Sequence, residues 1–272
     1  VTWTVASFTE LLDSEFPPRW AEPWDRVGLV AGRPEQPVTR VLAVVDVLPA
    51  TVAEALDTGA DMIIAHHPLL LTGVSSVAAT TYQGRIIHDL IGNGVALYVA
   101  HTNADVARPG VSDALAEALG LLDTRPLRAT EEGRGHGRVG RLPAPLTLGE
   151  FAHLAATALP VASWGVRVAG DPARPVSLVA VCGGSGDEFI PDAVAAGVDV
   201  YLTGDLKHHR VADLLASAGP ALVDAGHYAT ERPWLTPLAA WLRTATGLET
   251  IVSETTTDPF GFHACATLDP VA

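Results

Sequence analysis

Lysine is almost absent from this 272-residue chain: Lys207 is the only one, so nearly all positive charge is arginine. Acidic residues outnumber basic ones by 31 to 17, for a formal charge of −14. A surface of that sign argues against non-specific nucleic-acid binding and against adhesion to anionic membranes. It also means that any phosphate-bearing ligand must be held by local positive charge, from arginines or from metal ions. Cysteine is scarce as well. Cys182 and Cys265 lie far apart and make no disulfide framework, so a reducing cytoplasm is the expected compartment. Long apolar runs are missing: those at 41–48 and 62–71 are interrupted by Asp46 and by His66-His67, well short of a bilayer span. The opening Val1-Thr2-Trp3-Thr4-Val5 lacks a basic segment leading into an apolar stretch, and no signal peptide is expected.

What is present reads as an ordinary globular protein, 48% apolar and 18% charged, long enough for two lobes or one large domain. Strand-like runs alternate with helical ones, the mark of an α/β fold. The expected strands are 41–47, 62–65, 96–100, 139–142, 166–169, 177–181, 200–203, 221–223 and 262–267. The expected helices are 7–15, 49–58, 83–93, 112–119, 147–159, 187–196, 207–217 and 232–246. Ser7 with Glu10, and Thr147 with Glu150, fit capping boxes. Gly59, Gly94, Gly120, Gly197 and Gly219 sit where helices should stop. The stretch 124–138, rich in Arg, Glu and Gly, reads as a lobe connection or flexible loop.

The two halves of the chain align. Ala55-Leu56-Asp57-Thr58-Gly59-Ala60-Asp61-Met62 matches Ala193-Val194-Ala195-Ala196-Gly197-Val198-Asp199-Val200, each set in the same order of strand, helix, strand, helix, strand. A duplication accounts for this order. The expected architecture is two related α/β lobes, residues 1–125 and 126–272, with a metal site in the cleft between them. The segment from about residue 226 is expected to return to the first lobe.

Three clusters of ligand-type side chains close strand-like runs. They are His66-His67-Pro68, His101-Thr102-Asn103-Ala104-Asp105, and Gly226-His227-Tyr228-Ala229-Thr230-Glu231. Strand ends of α/β sheets are where ligands gather. His227 and Glu231, four apart, share a face if a helix begins there. Histidines with carboxylates form a mixed nitrogen and oxygen set that suits divalent Zn, Fe or Mn, and one carboxylate can bridge two ions. Lys207-His208-His209 looks like a second pair but opens a helix, where consecutive side chains diverge by about 100°. His136, His153, His88 and His263 read as structural. Cys182-Gly183-Gly184-Ser185-Gly186 follows a strand and is either an anion-holding turn or a plain tight turn; Cys182 itself reads as a small buried side chain.

Taken together these segments resemble the Nif-three-like dinuclear-metal family, the GTP cyclohydrolase I type 2 homologues. The resemblance spans the chain: Asp25-Arg26-Val27-Gly28-Leu29, His66-His67-Pro68, His101 to Asp105, Cys182 to Gly186, Thr203-Gly204-Asp205-Leu206-Lys207 and Gly226 to Glu231 occur in the family's order. It implies two divalent metal ions bound by His66, His67, Asp105, His227 and Glu231, with Glu231 shared, and a toroidal homohexamer. Some relatives carry a second histidine where Tyr228 stands here.

Two classes of function follow. The first is a metal-dependent hydrolase acting on a nucleotide or phosphoester, with His101 or Asp205 as proton shuttles. The second is a non-catalytic hexamer that holds metal or a metabolite.

Overall fold

The apolar runs fold into two large β-sheets, beside a small pair of Trp3–Thr4 with Pro37–Val38, in the computed structural model, which describes residues 2–264. The first sheet has five strands in the order Glu249–Val252, Arg40–Val44, Met62–Ala65, Ala96–Val99 and Gly28–Ala31. All its pairings are parallel except the last, so the C-terminal strand returns to the N-terminal half of the chain. The second has six strands, ordered Leu122–Ala129, Gly135–Thr147, Pro175–Ser185, Val200–Gly204, Ala221–Asp224 and Arg167–Ala169. Its Pro175–Ser185, Val200–Gly204 and Ala221–Asp224 strands are parallel, flanked by antiparallel neighbours.

The buried central strands explain the continuous apolar sequence. Met62, Ile63, Ile64 and Ala65 are all inaccessible because helices cover both faces of the sheet, with alternate residues entering separate cores. Each such large side chain contributes about 1.5–3 kcal/mol relative to exposure.

The internal repeat is visible in hydrogen bonds as well as in strand order. Gly59 and Gly197 both take the left-handed conformation, at φ +67° and +66°, and end their helices. The aspartate two residues later then does the same work in each half. Asp61 Oδ2 accepts the backbone N–H groups of Thr39 and Arg40 at 2.7 and 3.0 Å. Asp199 Oδ2 accepts those of Ser177 and Leu178, both at 2.8 Å. Each carboxylate thus pins the start of the preceding parallel strand. This is an α/β fold built on a duplicated unit.

Several expectations needed correction. The first helix begins at Val5, and its capping box is Thr4 with Ser7, Thr4 Oγ1 accepting from Ser7 N at 3.3 Å. Ser7 is therefore the third helical residue and not the cap. The expected box at Thr147 and Glu150 is formed. The helices expected over 187–196 and 232–246 each open with a short 3-10 turn, Asp187–Phe189 and Arg232–Trp234. Ala218, at φ +52°, takes the left-handed position ahead of Gly219.

The stretch 124–138 is no flexible loop. It lies within an antiparallel hairpin whose two strands, Leu122–Ala129 and Gly135–Thr147, are joined by a short 3-10 turn. Arg138 is fully buried there and its guanidinium is saturated by Asp113 and by the carbonyls of Ala107, Gly135 and Gly137. A charged residue satisfied this completely can occupy a core position, which hides a strand from any hydrophobic pattern. The last expected strand, 262–267, is absent from its described part; the rest of it, with Cys265, lies outside the described residues.

After Glu249–Val252 the chain runs across to the second half. Ser253 Oγ donates to Glu54 at 2.5 Å, Thr257 Oγ1 donates to Asp46, Phe260 packs on Trp164, and His263 meets the Ser163 carbonyl. No described helix is long and apolar enough to cross a membrane.

Candidate metal centre

The carboxyl ends of both sets of parallel strands converge on one point. From the first sheet, Met62–Ala65 delivers His66 and His67, and Ala96–Val99 delivers His101 and the short helix Thr102–Val106 that carries Asp105. From the second, Ala221–Asp224 leads into the helix His227–Glu231, which puts His227 and Glu231 on one face. Arg232-Pro233 ends that helix after five residues.

Glu231 is the hub. Its side chain is almost fully buried, with Oε1 3.4 Å from His66 Nε2 and 3.1 Å from His227 Nε2, and Oε2 3.0 Å from His67 Nε2. Asp105 Oδ1 lies 3.7 Å from His66 Nε2. The nitrogens His67 Nε2 and His227 Nε2 are only 3.2 Å apart. Two groups of potential ligands overlap here: His66 with His67 and His101, and His67 with His227 and Glu231.

Every one of these histidines is fixed from behind through Nδ1. His67 donates to Asp46 at 2.7 Å, His227 to Asp205 at 2.7 Å, His101 to Asp25 at 2.9 Å, and His66 to the Ala100 carbonyl at 3.0 Å. With Nδ1 carrying the proton, each Nε2 presents a lone pair to the interior. Asp25 is held in turn by Thr102, and Asp46 by Thr257. Asp205 adopts φ +56°, a left-handed conformation that aspartate tolerates better than most residues.

The donor set fits a bound cation. His66 Nε2 and Glu231 Oε2 are buried and make no hydrogen bond, the 3.0 Å approach of His67 to Oε2 lacking hydrogen-bond geometry. Buried polar atoms are seldom left so. In a metal-free form protons would take its place. Burial disfavours charge on His67 and His227, yet the Glu231 carboxylate outweighs it and holds them protonated up to about 10 and about 11. Burial likewise opposes ionisation of Glu231, but the three facing histidines carry it well below the usual carboxylate range. Burial pushes Asp105 the other way, up.

Glycines make room for this cluster. A methyl group on Gly184, at φ +66°, would stand 2.3 Å from Glu231 Oε1, and one on Gly204 would stand 2.8 Å from His227 N. Gly184 N also donates to Thr230 Oγ1 at 2.9 Å, tying this strand end to the ligand-bearing helix. Cys182 to Ser185 continue the strand Pro175–Ser185 as a floor beneath Glu231, so the run is neither the expected turn nor an anion cradle. Burial pushes the Cys182 thiol up to about 12, so it stays protonated and unreactive at neutral pH.

A family profile for Duf34/NIF3 (NGG1p interacting factor 3) matches residues 3–259. The chain belongs to the DUF34/NIF3 family. A Streptomyces coelicolor protein named GTP cyclohydrolase 1 type 2 homolog is 51% identical over 264 residues, covering 94% of this chain and 93% of the relative. A Clostridium perfringens protein of the same name is 34% identical, covering 93% and 97%. Among solved structures, a Staphylococcus aureus protein superposes with a TM-score of 0.88 at 30% identity, over 96% of this chain and 99% of that one. A Bacillus cereus protein related to NIF3 does so with the same score at 26% identity.

In this DUF34/NIF3 chain the histidines set aside earlier stay apart from the cluster, with one exception. His208 and His209 are exposed at the start of the helix His208–Ala216, their rings 82° apart. His136, expected in a loop, sits on the strand Gly135–Thr147, pairs with Glu22 at 3.2 Å, and slightly opposes the upward push of burial on Asp105. Asp46 and Asp25 were missed as supports of the site. The signal for Asp46 was the break it makes in an apolar strand run, since a carboxylate ending a buried strand needs a partner.

A hollow of about 340 Å³ opens beside the cluster, with His67, His227, Asp46 and Asp205 on its inner side and Trp164 and Phe260 on its outer side. A wider one of about 620 Å³ lies elsewhere, among Ala114, Arg232 and Ala240, and gathers no histidines.

Proposed function

We propose that this protein binds two divalent metal ions, Zn, Fe or Mn, and hydrolyses a nucleotide or another phosphate-bearing small molecule. The observation carrying this reading is the pair His67 Nε2 and His227 Nε2, 3.2 Å apart with both Nδ1 atoms already hydrogen-bonded to carboxylates. With both Nδ1 protons already committed to carboxylates, two Nε2 atoms this close must share a proton or a cation, and the mixed histidine and carboxylate set around them suits a cation. His66, His67, Asp105, His227 and Glu231 are the proposed ligands, with Glu231 shared because its two oxygens reach different histidines.

When bound, such ions supply Lewis acidity and make a coordinated water easier to deprotonate. The chain's own residues supply the rest. Asp46 and Asp205 hold the histidines in one tautomer and orientation. His101, backed by Asp25 and adjoining His66 and His67, is placed to carry a proton at Nε2. Asp205 is kept ionised chiefly by its hydrogen bond to His227, which suits it to support that histidine and not to act as an acid. The buried wall of Trp234, against which His66 packs at 5.5 Å, excludes water from the inner side.

The test is turnover across a panel of nucleotides and phosphoesters, run with elemental analysis. Activity that disappears on chelation and returns with metal supports the proposal. A metal-loaded protein inert across the panel favours the non-catalytic metal- or metabolite-binding reading instead. We also propose, from the family resemblance, self-association into a closed ring of six; light scattering that finds a stable monomer would overturn this.

A further inference from the structure

We infer that a separate aromatic cavity binds a small organic cation of the alkylammonium class, with a head group of the tetramethylammonium type. The cavity measures about 90 Å³ and is walled by Phe16, Trp234, Leu238 and Trp241, with Glu15 and Glu117 in its lining. None of the proposed metal ligands borders it, and the inference is independent of the hydrolase reading. Phe16 meets Trp234 at 5.8 Å and 75°, and Trp241 at 5.9 Å and 72°. Rings set near right angles leave no parallel slot for a flat guest; they make a corner suited to a rounded one. The volume is below the roughly 150 Å³ that accommodates benzene, which again favours a compact head group. Aromatic faces attract cations, including those with no N–H to donate, and give an uncharged guest of the same shape no such advantage.

The charge around this cavity has one sign. Glu15 is the last residue of the helix Val5–Glu15, and Glu117 lies in the last turn of the helix Val111–Ala118; neither last turn holds a basic residue. A helix C-terminus carries negative partial charge, so a glutamate there is disfavoured unless a cation stands near. Among the described residues neither glutamate side chain has a hydrogen-bond or ion-pair partner. Asp113, the third acid of the lining, differs, because Arg138 engages both its oxygens. No lysine, arginine or histidine lines the cavity. Arg232, which shares the wider hollow with Glu117, donates to the Ser253 carbonyl at 3.2 Å. Two helix ends and two unneutralised carboxylates thus bias an aromatic pocket toward positive charge that no described side chain supplies. A metal ion is a poor occupant, since the ring walls offer it no oxygen ligands. Trp234 also packs on His66 at 5.5 Å, so an occupant would touch a side chain that the cluster touches.

Tetramethylammonium and tert-butanol, alike in shape and different in charge, are the probes, with sodium ion as the control for charge alone. Titration calorimetry of the zinc-loaded full chain should show saturable binding of tetramethylammonium, at least tenfold tighter than tert-butanol and unaffected by equimolar sodium. Tryptophan fluorescence should change in parallel. The double variant Glu15→Gln with Glu117→Gln, and separately Trp241→Leu, should each weaken tetramethylammonium at least fivefold. The glutamine variant is expected to keep the wild-type melting temperature and zinc content, so its loss of binding would not reflect misfolding. The inference falls if tetramethylammonium does not saturate, if tert-butanol binds as well, if sodium displaces it at equal concentration, or if the glutamine variant binds like the wild type. These readouts need no turnover, so a protein that binds as expected yet hydrolyses nothing sinks the hydrolase reading alone.

Discussion

His67 and His227 stand 160 residues apart in sequence and 3.2 Å apart at their Nε2 atoms, each locked from behind by its own aspartate. Their common neighbour is Glu231, and substitutions there should be the most damaging to metal content. Glu231→Ala should abolish binding of both ions, because its oxygens approach three histidines. Asp105→Ala, whose nearest partner is His66, should lower the metal-to-protein ratio less. His208→Ala should leave it unchanged. Elemental analysis of the folded variants checks all three, and unchanged stoichiometry in both carboxylate variants would refute the ligand set.

The carboxylates behind the histidines should matter almost as much as the ligands. Asp46→Asn and Asp205→Asn keep the shape but weaken the hold on the Nδ1 proton, and each is expected to reduce metal affinity about 10–100-fold. Competition with a chromogenic chelator would measure this; affinities within a factor of two of wild type would contradict it.

Two glycines of equal backbone geometry give a controlled comparison. Gly184 and Gly197 both have φ +66°, but a methyl group meets Glu231 in the first case and nothing within 4 Å in the second. Gly197→Ala should cost roughly 1–2 kcal/mol, the left-handed penalty alone, and retain metal. Gly184→Ala should add displacement of Glu231 and lose metal. Equal metal content in the two variants would show that the floor under Glu231 is not needed.

Without metal, His67 and His227 remain protonated to about 10 and about 11, against an ordinary value of 6.5. A raised folded value means that this pairing stabilises the fold fully below about 6.5 and is lost as pH climbs toward 10–11. The metal-free protein should therefore melt at progressively lower temperature across that window. Metal binding, which must displace the same protons, should strengthen with rising pH and fail in mild acid. Thermal melts and metal retention measured over pH 5–9 should thus move in opposite directions; parallel trends would be inconsistent with these histidines as ligands.

Much of this was legible in sequence because buried parallel strands write themselves as unbroken apolar runs. Met62 to Ala65 and the helix Pro49–Thr58 have the boundaries the sequence suggested. The clusters at His66, His101 and His227 were recognisable because each closes such a run. The hairpin around Arg138 was not, since its core position is filled by a guanidinium whose partners include Ala107 and Asp113 from outside the hairpin. Nor were Asp25 and Asp46, which owe their roles to contacts across 76 and 21 residues. The strand Gly28–Ala31 was missed for a similar reason: four residues on a sheet edge, half exposed, carry too little pattern to stand out.

The division of the cluster between two sheets has a mechanical consequence. An ion gripped by His67 and His227 closes a loop of 160 residues, and it does so where the halves of the molecule meet. The metal-free fold has to meet the entropy of that closure with packing and proton-mediated pairing alone. Metal is in this sense a removable rivet. Starvation for it should register first as looser docking of the halves, seen as faster amide exchange in His227–Glu231 and in residues 253–263, while the interiors of both sheets stay protected.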